Sequence, residues 1–320
     1  MDMLREVMLY LSDNRVARRI ASDAPFSKAV SRRFVAGETL EEVMAAARET
    51  NAAGMTASVD YLGESVSSRE EARTAAGVVA RIIERIAAEG LDANVSVKLT
   101  QLGQDIDEGF LRETVLPLLE SAAERDMFVR FDMESSAYTQ RTLDFFRSLW
   151  DAGHTNAGVV LQSYLYRTEE DVRWTNDLGA RVRLCKGAYK EPESVAWPDK
   201  ADVDASFVRC MKLLLSEGTY PGIATHDPAM LAATRAYARE QEIPTSAYEF
   251  QMLYGVRRDL QRELVSAGYN LRIYIPFGEA WYPYFMRRMA ERPANMFFIV
   301  GNVVRESPLG IFMRGNGAGR

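Results

Sequence analysis

The sequence predicts an α/β fold built as one (β/α)8 TIM barrel, on three observations. Short β-rich runs recur eight times, helical patterns lie between them, and no shift in composition divides the chain. Length agrees: such a barrel needs about 250 residues, and the chain has 320 with 47% hydrophobic content, enough for one large core. Residues 1–50 read as helices ahead of the barrel. There Met3, Leu4, Val7, Met8 and Leu11 form a helical stripe, and Asp2, Arg5 and Glu6 interrupt it too early for a signal peptide. The barrel itself is expected over 51–300. Its strands read, in order, as MTASVD (55–60), NVSVKL (94–99), MFVRFD (127–132), AGVVLQ (157–162), ARVRLC (180–185), PGIAT (221–225), TSAYEF (245–250) and LRIYI (271–275). Pro276 is expected to stop the eighth. Helices are predicted over 69–89, 110–124, 139–151, 169–178, 201–216, 228–241 and 257–267. Gly90, Gly153, Gly179, Gly218 and Gly268 fall at the ends of five of them, as C-terminal caps do. Residues 301–320, with glycines around a small apolar LGIFM knot, read as a flexible tail.

Composition removes several functions. A net charge of -6 gives no broad basic footprint for nucleic acid. Two cysteines, Cys185 and Cys210, make no disulfide framework and fit a reducing cytosol. No run reaches the roughly 18 apolar residues of a membrane span. The two histidines, His154 and His226, lack the spacing of a paired metal site, so no metal is expected. No serine sits in a nucleophile elbow, and the GNGAG string at 315–319 is followed by no helix, so it is no dinucleotide fingerprint.

Barrel enzymes work at the C-terminal ends of their strands, and there the sequence places a ring of both charge signs. Asp60, Lys98, Asp132 and Gln162 end the first four strands. Arg183 and Lys186 flank the end of the fifth, and Thr225, His226 and Asp227 follow the sixth. Glu249 and Gln251 are assigned to the end of the seventh and Tyr274 to the eighth. A single polar strand end is commonly just a solvated one; a full ring points to a pocket. Lys98 or Lys186 could form a Schiff base, as in barrel aldolases, although a lysine paired with a carboxylate is the plainer reading. In CKGAY (185–189), Lys186 and Gly187 directly follow a strand, where backbone amides and a lysine suit a phosphate. Thr225 and His226 follow the next strand, so both turns could meet one phosphorylated cofactor.

The run YIPFGEAWYPYFMRRMAERPAN (274–295) is the sharpest feature. A helical pattern opens at Glu279 and carries Arg287 and Arg288 among Trp281, Tyr282, Tyr284, Phe285 and Met286. Two guanidiniums on so apolar a surface are costly to desolvate unless an anion pairs with them, and arginine suits bidentate capture of a carboxylate or phosphate. The bland alternative has them reaching solvent, or pairing with Glu279 and Glu291.

The segments SVKL, RFDMES, VLQSYLYR, RVRLCKGAY, ATHD, FQMLYG and RIYIPFGEAWYPYFMRRMAERPAN, in order over roughly 40–300, resemble proline dehydrogenase. The likeness is to the short monofunctional bacterial form, related to the dehydrogenase domain of bifunctional proline-catabolic enzymes. It implies a distorted barrel with the final helix over its mouth and FAD held without a covalent bond. L-proline would be oxidised to Δ1-pyrroline-5-carboxylate, the first step of proline degradation to glutamate. Electrons would pass to a membrane quinone, and the enzyme would be cytoplasmic or peripheral at the inner face of the membrane. A downstream pyrroline-5-carboxylate dehydrogenase would be a further partner. By the resemblance, Lys98, Arg287 and Arg288 grip the substrate carboxylate, while Tyr274, Tyr284 and Leu253 pack around its ring. Asp132 orients Lys98, and Arg183 lies near the reactive flavin nitrogen. Met133, Gln162, Lys186, Gly187, Ala188, Thr225, His226 and Glu291 fall at FAD-binding positions. Glu64, in the first βα loop, matches a gate that pairs with Arg287. Lys190 departs from the pattern, because some relatives carry there a tryptophan against the adenine. A flavoenzyme for hydroxyproline remains an in-class alternative, which Tyr284 should disfavour by crowding a 4-hydroxyl.

Overall fold

The computed structural model describes residues 32–282 and 284. Eight parallel strands close into a barrel in which each pairs with its sequence neighbour and β8 returns to β1. The strands are β1 (Thr56–Tyr61), β2 (Ala93–Val97), β3 (Val129–Phe131), β4 (Ala157–Gln162), β5 (Val182–Cys185), β6 (Gly222–Ala224), β7 (Glu249–Leu253) and β8 (Leu271–Phe277). A helix α1 (Leu40–Ala52) precedes them. The intervening helices are α2 (Arg69–Ala88), α3 (Glu108–Ala123), α4 (Ser136–Asp151), α5 (Thr168–Asp177), α6 (Lys200–Glu217), α7 (Pro228–Glu240) and α8 (Arg258–Ser266).

Local chemistry starts these helices. Thr39 and Glu42 cap α1 reciprocally, and the Ser68, Asp107 and Asp227 side chains accept backbone amides at the starts of α2, α3 and α7. Of the five glycines expected as C-caps, Gly90, Gly153, Gly179 and Gly268 have left-handed backbones. Gly218 does not: its φ is -86°. It is required for space instead, since a Cβ there would lie 2.5 Å from the Leu214 carbonyl.

The period of two along each strand separates two environments. Val59, Val95, Val97, Phe131, Val159, Leu161, Val182, Leu184, Ile223, Phe250, Ile273 and Ile275 belong to the buried apolar core. The alternate residues face inward, and there the barrel is polar. At its lower end Arg272 pairs with Glu249 at 2.8 Å and donates to the Asn94 side chain at 3.1 Å. Arg130, also inside, donates to the carbonyls of Val159 and Arg181.

Two strand ends differ from the sequence expectation. Residues 245–247 form a short 3-10 turn rather than strand, and β7 begins at Glu249. Glu249 is therefore at the bottom of the barrel, bound to Arg272, and not at the mouth. Pro276 does not stop β8, which runs to Phe277. The reason is that β7 already ends at Leu253, opposite Tyr274. No neighbouring carbonyl then needs an amide from Pro276, and its own carbonyl accepts the Ala36 N–H at 2.8 Å.

Candidate functional site

At the mouth, four charged side chains and a phenol form one cluster. Asp132, one residue past β3, accepts Arg183 Nη1 at 2.6 Å on one oxygen and the Tyr274 hydroxyl at 2.7 Å on the other. Arg183 donates from Nε to Gln251 Oε1 at 2.5 Å, and from Nη2 to the Ser96 and Ser58 hydroxyls at 3.2 and 3.3 Å. Its guanidinium also lies 5.1 Å from the centre of the Tyr274 ring. Every nitrogen of Arg183 is thus tied to the wall. Gln251 can reach it only because β6 has glycine beside it: a Cβ on Gly222 would sit 2.3 Å from Gln251 Nε2.

Lys98, one residue past β2, points its ammonium at Asp60, 3.2 Å from Oδ1, with Asp132 at 4.0 Å. Burial works against the charged lysine, but Asp60 and Asp132 outweigh it and hold Lys98 above the ordinary lysine range. Asp60, 0% exposed, is raised by its own burial, opposed by the Lys98 charge and reinforced by Asp132. Burial, with Asp132 adding to it, likewise keeps Tyr274 a neutral phenol, so it donates. The expectation that Asp132 orients Lys98 is refined: Asp60 is the nearer partner, and Asp132 mainly fixes Arg183 and Tyr274.

Beside this cluster lies a pair that the sequence reading missed. Glu134 is 6% exposed, and both its oxygens lie 2.9 Å from Thr100 Oγ1. Burial lifts its carboxyl to about 7, with Thr100 and Lys98 opposing and Glu64 adding. The available signal was its place in RFDMES, two residues past Asp132. Glu64 is half-buried in the loop after β1, and its charge acts on both Lys98 and Glu134.

On the adjoining strand ends, β4 to β6, stand the positions expected for a cofactor. Gln162 ends β4, and its buried Oε1 has no hydrogen-bond donor among the described residues. Gly187 has a φ of +109°, and a Cβ there would meet the Tyr164 ring at 2.5 Å. The turn after β5 therefore depends on glycine. Ala188 next to it is exposed, whereas Met133 is packed in the core. Thr225 Oγ1 accepts the Asp227 amide at 3.0 Å. His226 Nε2 accepts the Leu253 N–H at 3.0 Å, which places the ring proton of a neutral imidazole on Nδ1. Leu253 in turn lies beside Tyr274 in the β7–β8 register. Lys186 is held by Asp204 and, at 2.6 Å, by Asp227, and Lys200 joins the same two carboxylates. Lys190 is exposed, and Glu191 next to it accepts the Ser136 N–H at 2.8 Å and the Tyr164 hydroxyl at 3.2 Å.

The chain turns helical again at Trp281, and Tyr284 is buried. Arg287, Arg288 and Glu291 lie outside the described residues, as does most of the helix expected over the mouth. The structure thus brings together Lys98, Asp132, Arg183 and Tyr274, with Leu253 beside Tyr274, and has Gln162, Gly187, Thr225 and His226 at the ends of β4, β5 and β6. Among the described residues no cluster of three or more His, Cys, Asp or Glu could hold a metal, and no helix is long and apolar enough to cross a membrane.

Comparison with known proteins points the same way. Residues 43–300 match the family model described as proline dehydrogenase. The chain is 40% identical over 304 residues to proline dehydrogenase 1 of Bacillus subtilis, covering 95% of this chain and 100% of that one. It is 37% identical to the proline dehydrogenase of Deinococcus radiodurans, over 95% of this chain and 98% of the relative. Among solved structures it resembles proline utilization A (PutA) of Bdellovibrio bacteriovorus inactivated by N-propargylglycine. That likeness has a TM-score of 0.80 and 26% identity, and covers 96% of this chain and 38% of the other.

Proposed function

The chain belongs to the proline dehydrogenase family, and from that premise we propose that it oxidises L-proline to Δ1-pyrroline-5-carboxylate with non-covalent FAD. The observation that carries the reading is the pinned Asp132–Arg183–Tyr274 cluster with Lys98 at the barrel mouth. Beside it, Gln162 keeps a buried carbonyl oxygen in need of a donor, which a flavin ring N–H would supply. Gln162, the Gly187 and Ala188 amides, Thr225, His226 and Glu291 would hold the cofactor, with Met133 behind it. Lys186 would reach its phosphates by leaving one of its two aspartates. When bound, the flavin would accept a hydride from the substrate ring and give the electrons to a quinone.

The protein's own part is orientation and field. Arg183, fixed by four side chains, presents a positive charge that needs no rearrangement during the reaction, the form in which electrostatic stabilisation works best. Tyr274, Tyr284 and Leu253 would pack the pyrrolidine ring. Lys98, Arg287 and Arg288 would hold its carboxylate, and a Glu64–Arg287 pair would close the entrance. Tyr284 should crowd a 4-hydroxyl, which favours proline over hydroxyproline. A Schiff-base aldolase is disfavoured because both candidate lysines are tied to carboxylates, Lys98 to Asp60, which with Asp132 keeps it an ammonium, and Lys186 to Asp204 and Asp227. Action in the cytoplasm or at the inner face of the membrane, with quinone as acceptor and a pyrroline-5-carboxylate dehydrogenase receiving the product, completes the proposal.

The test is the absorption spectrum of the purified protein before and after anaerobic addition of proline. A flavin spectrum that bleaches is expected, and acid precipitation should release FAD. A folded, colourless protein that stays inactive with added FAD would refute the assignment.

A further inference from the structure

The loop that carries Glu64 is fastened from below at three points. Gln101 Nε2 donates to the Tyr61 carbonyl at 3.1 Å, the Val66 N–H reaches the Thr100 carbonyl at 3.3 Å, and the Ser65 N–H reaches Thr100 Oγ1 at 3.0 Å. Ser65 has a φ of +54°, a left-handed conformation that a serine adopts only when its surroundings impose it. The residue imposed upon is the immediate neighbour of Glu64.

Thr100 is 0% exposed, and its hydroxyl has one proton and two lone pairs. The proton is directed at Glu134, whose two oxygens are equidistant from it. That choice leaves a lone pair for the Ser65 amide. A carboxyl two residues past Asp132 is thereby joined, through one hydroxyl, to the backbone of the first βα loop. The loop so held carries Glu64, whose charge is felt at both Lys98 and Glu134.

We propose that Glu134 and Thr100 are positioning residues: the carboxyl–hydroxyl–amide relay holds Ser65 in its left-handed turn and so fixes the first βα loop, and with it the neighbouring Glu64. The relay rests on the dehydrogenase reading, and within it identifies what orients the loop. It does not touch the reacting atoms. Thr100 is the residue to change, because valine has its shape without the hydroxyl, and serine keeps the hydroxyl without the methyl.

Stopped-flow reduction of the enzyme-bound flavin by proline is the measurement, on native protein, Thr100→Val, Thr100→Ser, Glu64→Ala and the double variant Glu64→Ala/Thr100→Val. FAD content and the thermal melt of each variant are recorded beside it. Thr100→Val should keep FAD yet lose on the order of tenfold to a hundredfold in reduction rate, the scale of a misplaced positioning contact. Thr100→Ser should recover most of that loss, which a purely packing role of the threonine would not give. In the Glu64→Ala background, Thr100→Val should add little, because the two changes remove one function. Additive losses, or a native reduction rate in Thr100→Val, would overturn the relay. If Thr100→Val fails to fold, Thr100→Ser decides: a rate within a few-fold of native sustains the relay, and a Val-like loss overturns it. Absence of flavin reduction by proline in the native protein would instead defeat the dehydrogenase reading itself, so the two failures are distinguishable.

Discussion

Replacing Glu134 with glutamine should change how stability depends on pH, by an amount the structure sets. Burial raises the Glu134 carboxyl from the ordinary 4.5 to about 7, against the opposing pull of Thr100 and Lys98 and with help from Glu64. A carboxyl whose folded value lies above its unfolded one favours folding while it is protonated. Its contribution is complete below about 4.5 and is lost as pH rises through about 7. A gap of that size corresponds to about 3 kcal/mol at pH 8. Glutamine cannot ionise, and its carbonyl still accepts the Thr100 proton. Urea denaturation of both proteins at pH 5 and pH 8 is the assay, with the change between the two pH values compared so that any fixed effect of the substitution cancels. The native protein should lose about 2.5 kcal/mol relative to Glu134→Gln over that interval, nearly all of it between pH 5 and pH 7, with the two curves running parallel above that. Parallel stability curves, or a native protein that gains on the variant as pH rises, would show that Glu134 is not held as a high-pKa acid.

Two further outcomes follow from the mouth cluster. Asp132→Asn leaves Arg183 buried beside a neutral partner, so unfolding stability should fall by about 3–5 kcal/mol and flavin reduction by proline should slow sharply; an unchanged denaturation midpoint would refute the pairing. Arg288→Met should raise KM for proline by more than Lys98→Met does, since Asp60 already neutralises Lys98, and a buried charge contact to the carboxylate is worth about 2–5 kcal/mol; equal KM values for the two variants would contradict that ranking.

The barrel was legible because its strands announce themselves by period and its helices by caps, so most boundaries fall within two residues of expectation. The seventh strand was misplaced because SAYEF alternates well enough to look like strand from its start. The 3-10 turn at Thr245–Ala247 and the pairing of Glu249 with Arg272 shift it toward the C-terminus. The mouth residues Lys98, Asp132 and Tyr274 could be found because strand ends carry chemistry in this architecture. Their pairings could not. Whether Lys98 turns to Asp60 or to Asp132 depends on the register between β1 and β2, which places Asp60 opposite Ser96, and no local pattern encodes that. Thr100 and Glu134 were missed for the same reason, being 34 residues apart in sequence.

The register also decides what the described site can bind. Asp60 and Asp132 face Lys98 and Arg183 in a chain of three ion pairs, Asp60–Lys98, Lys98–Asp132 and Asp132–Arg183. Such a cluster is rigid and close to neutral, so it offers little net attraction to an incoming carboxylate. Glu134 and Glu64 add only negative charge nearby. Attraction for an anionic substrate is then the part proposed above for Arg287 and Arg288, in the helical pattern that opens at Glu279 in the sequence. Lys98, already paired with Asp60, would then add less to that grip than the arginine pair. The barrel mouth is thus a preorganised, internally balanced surface.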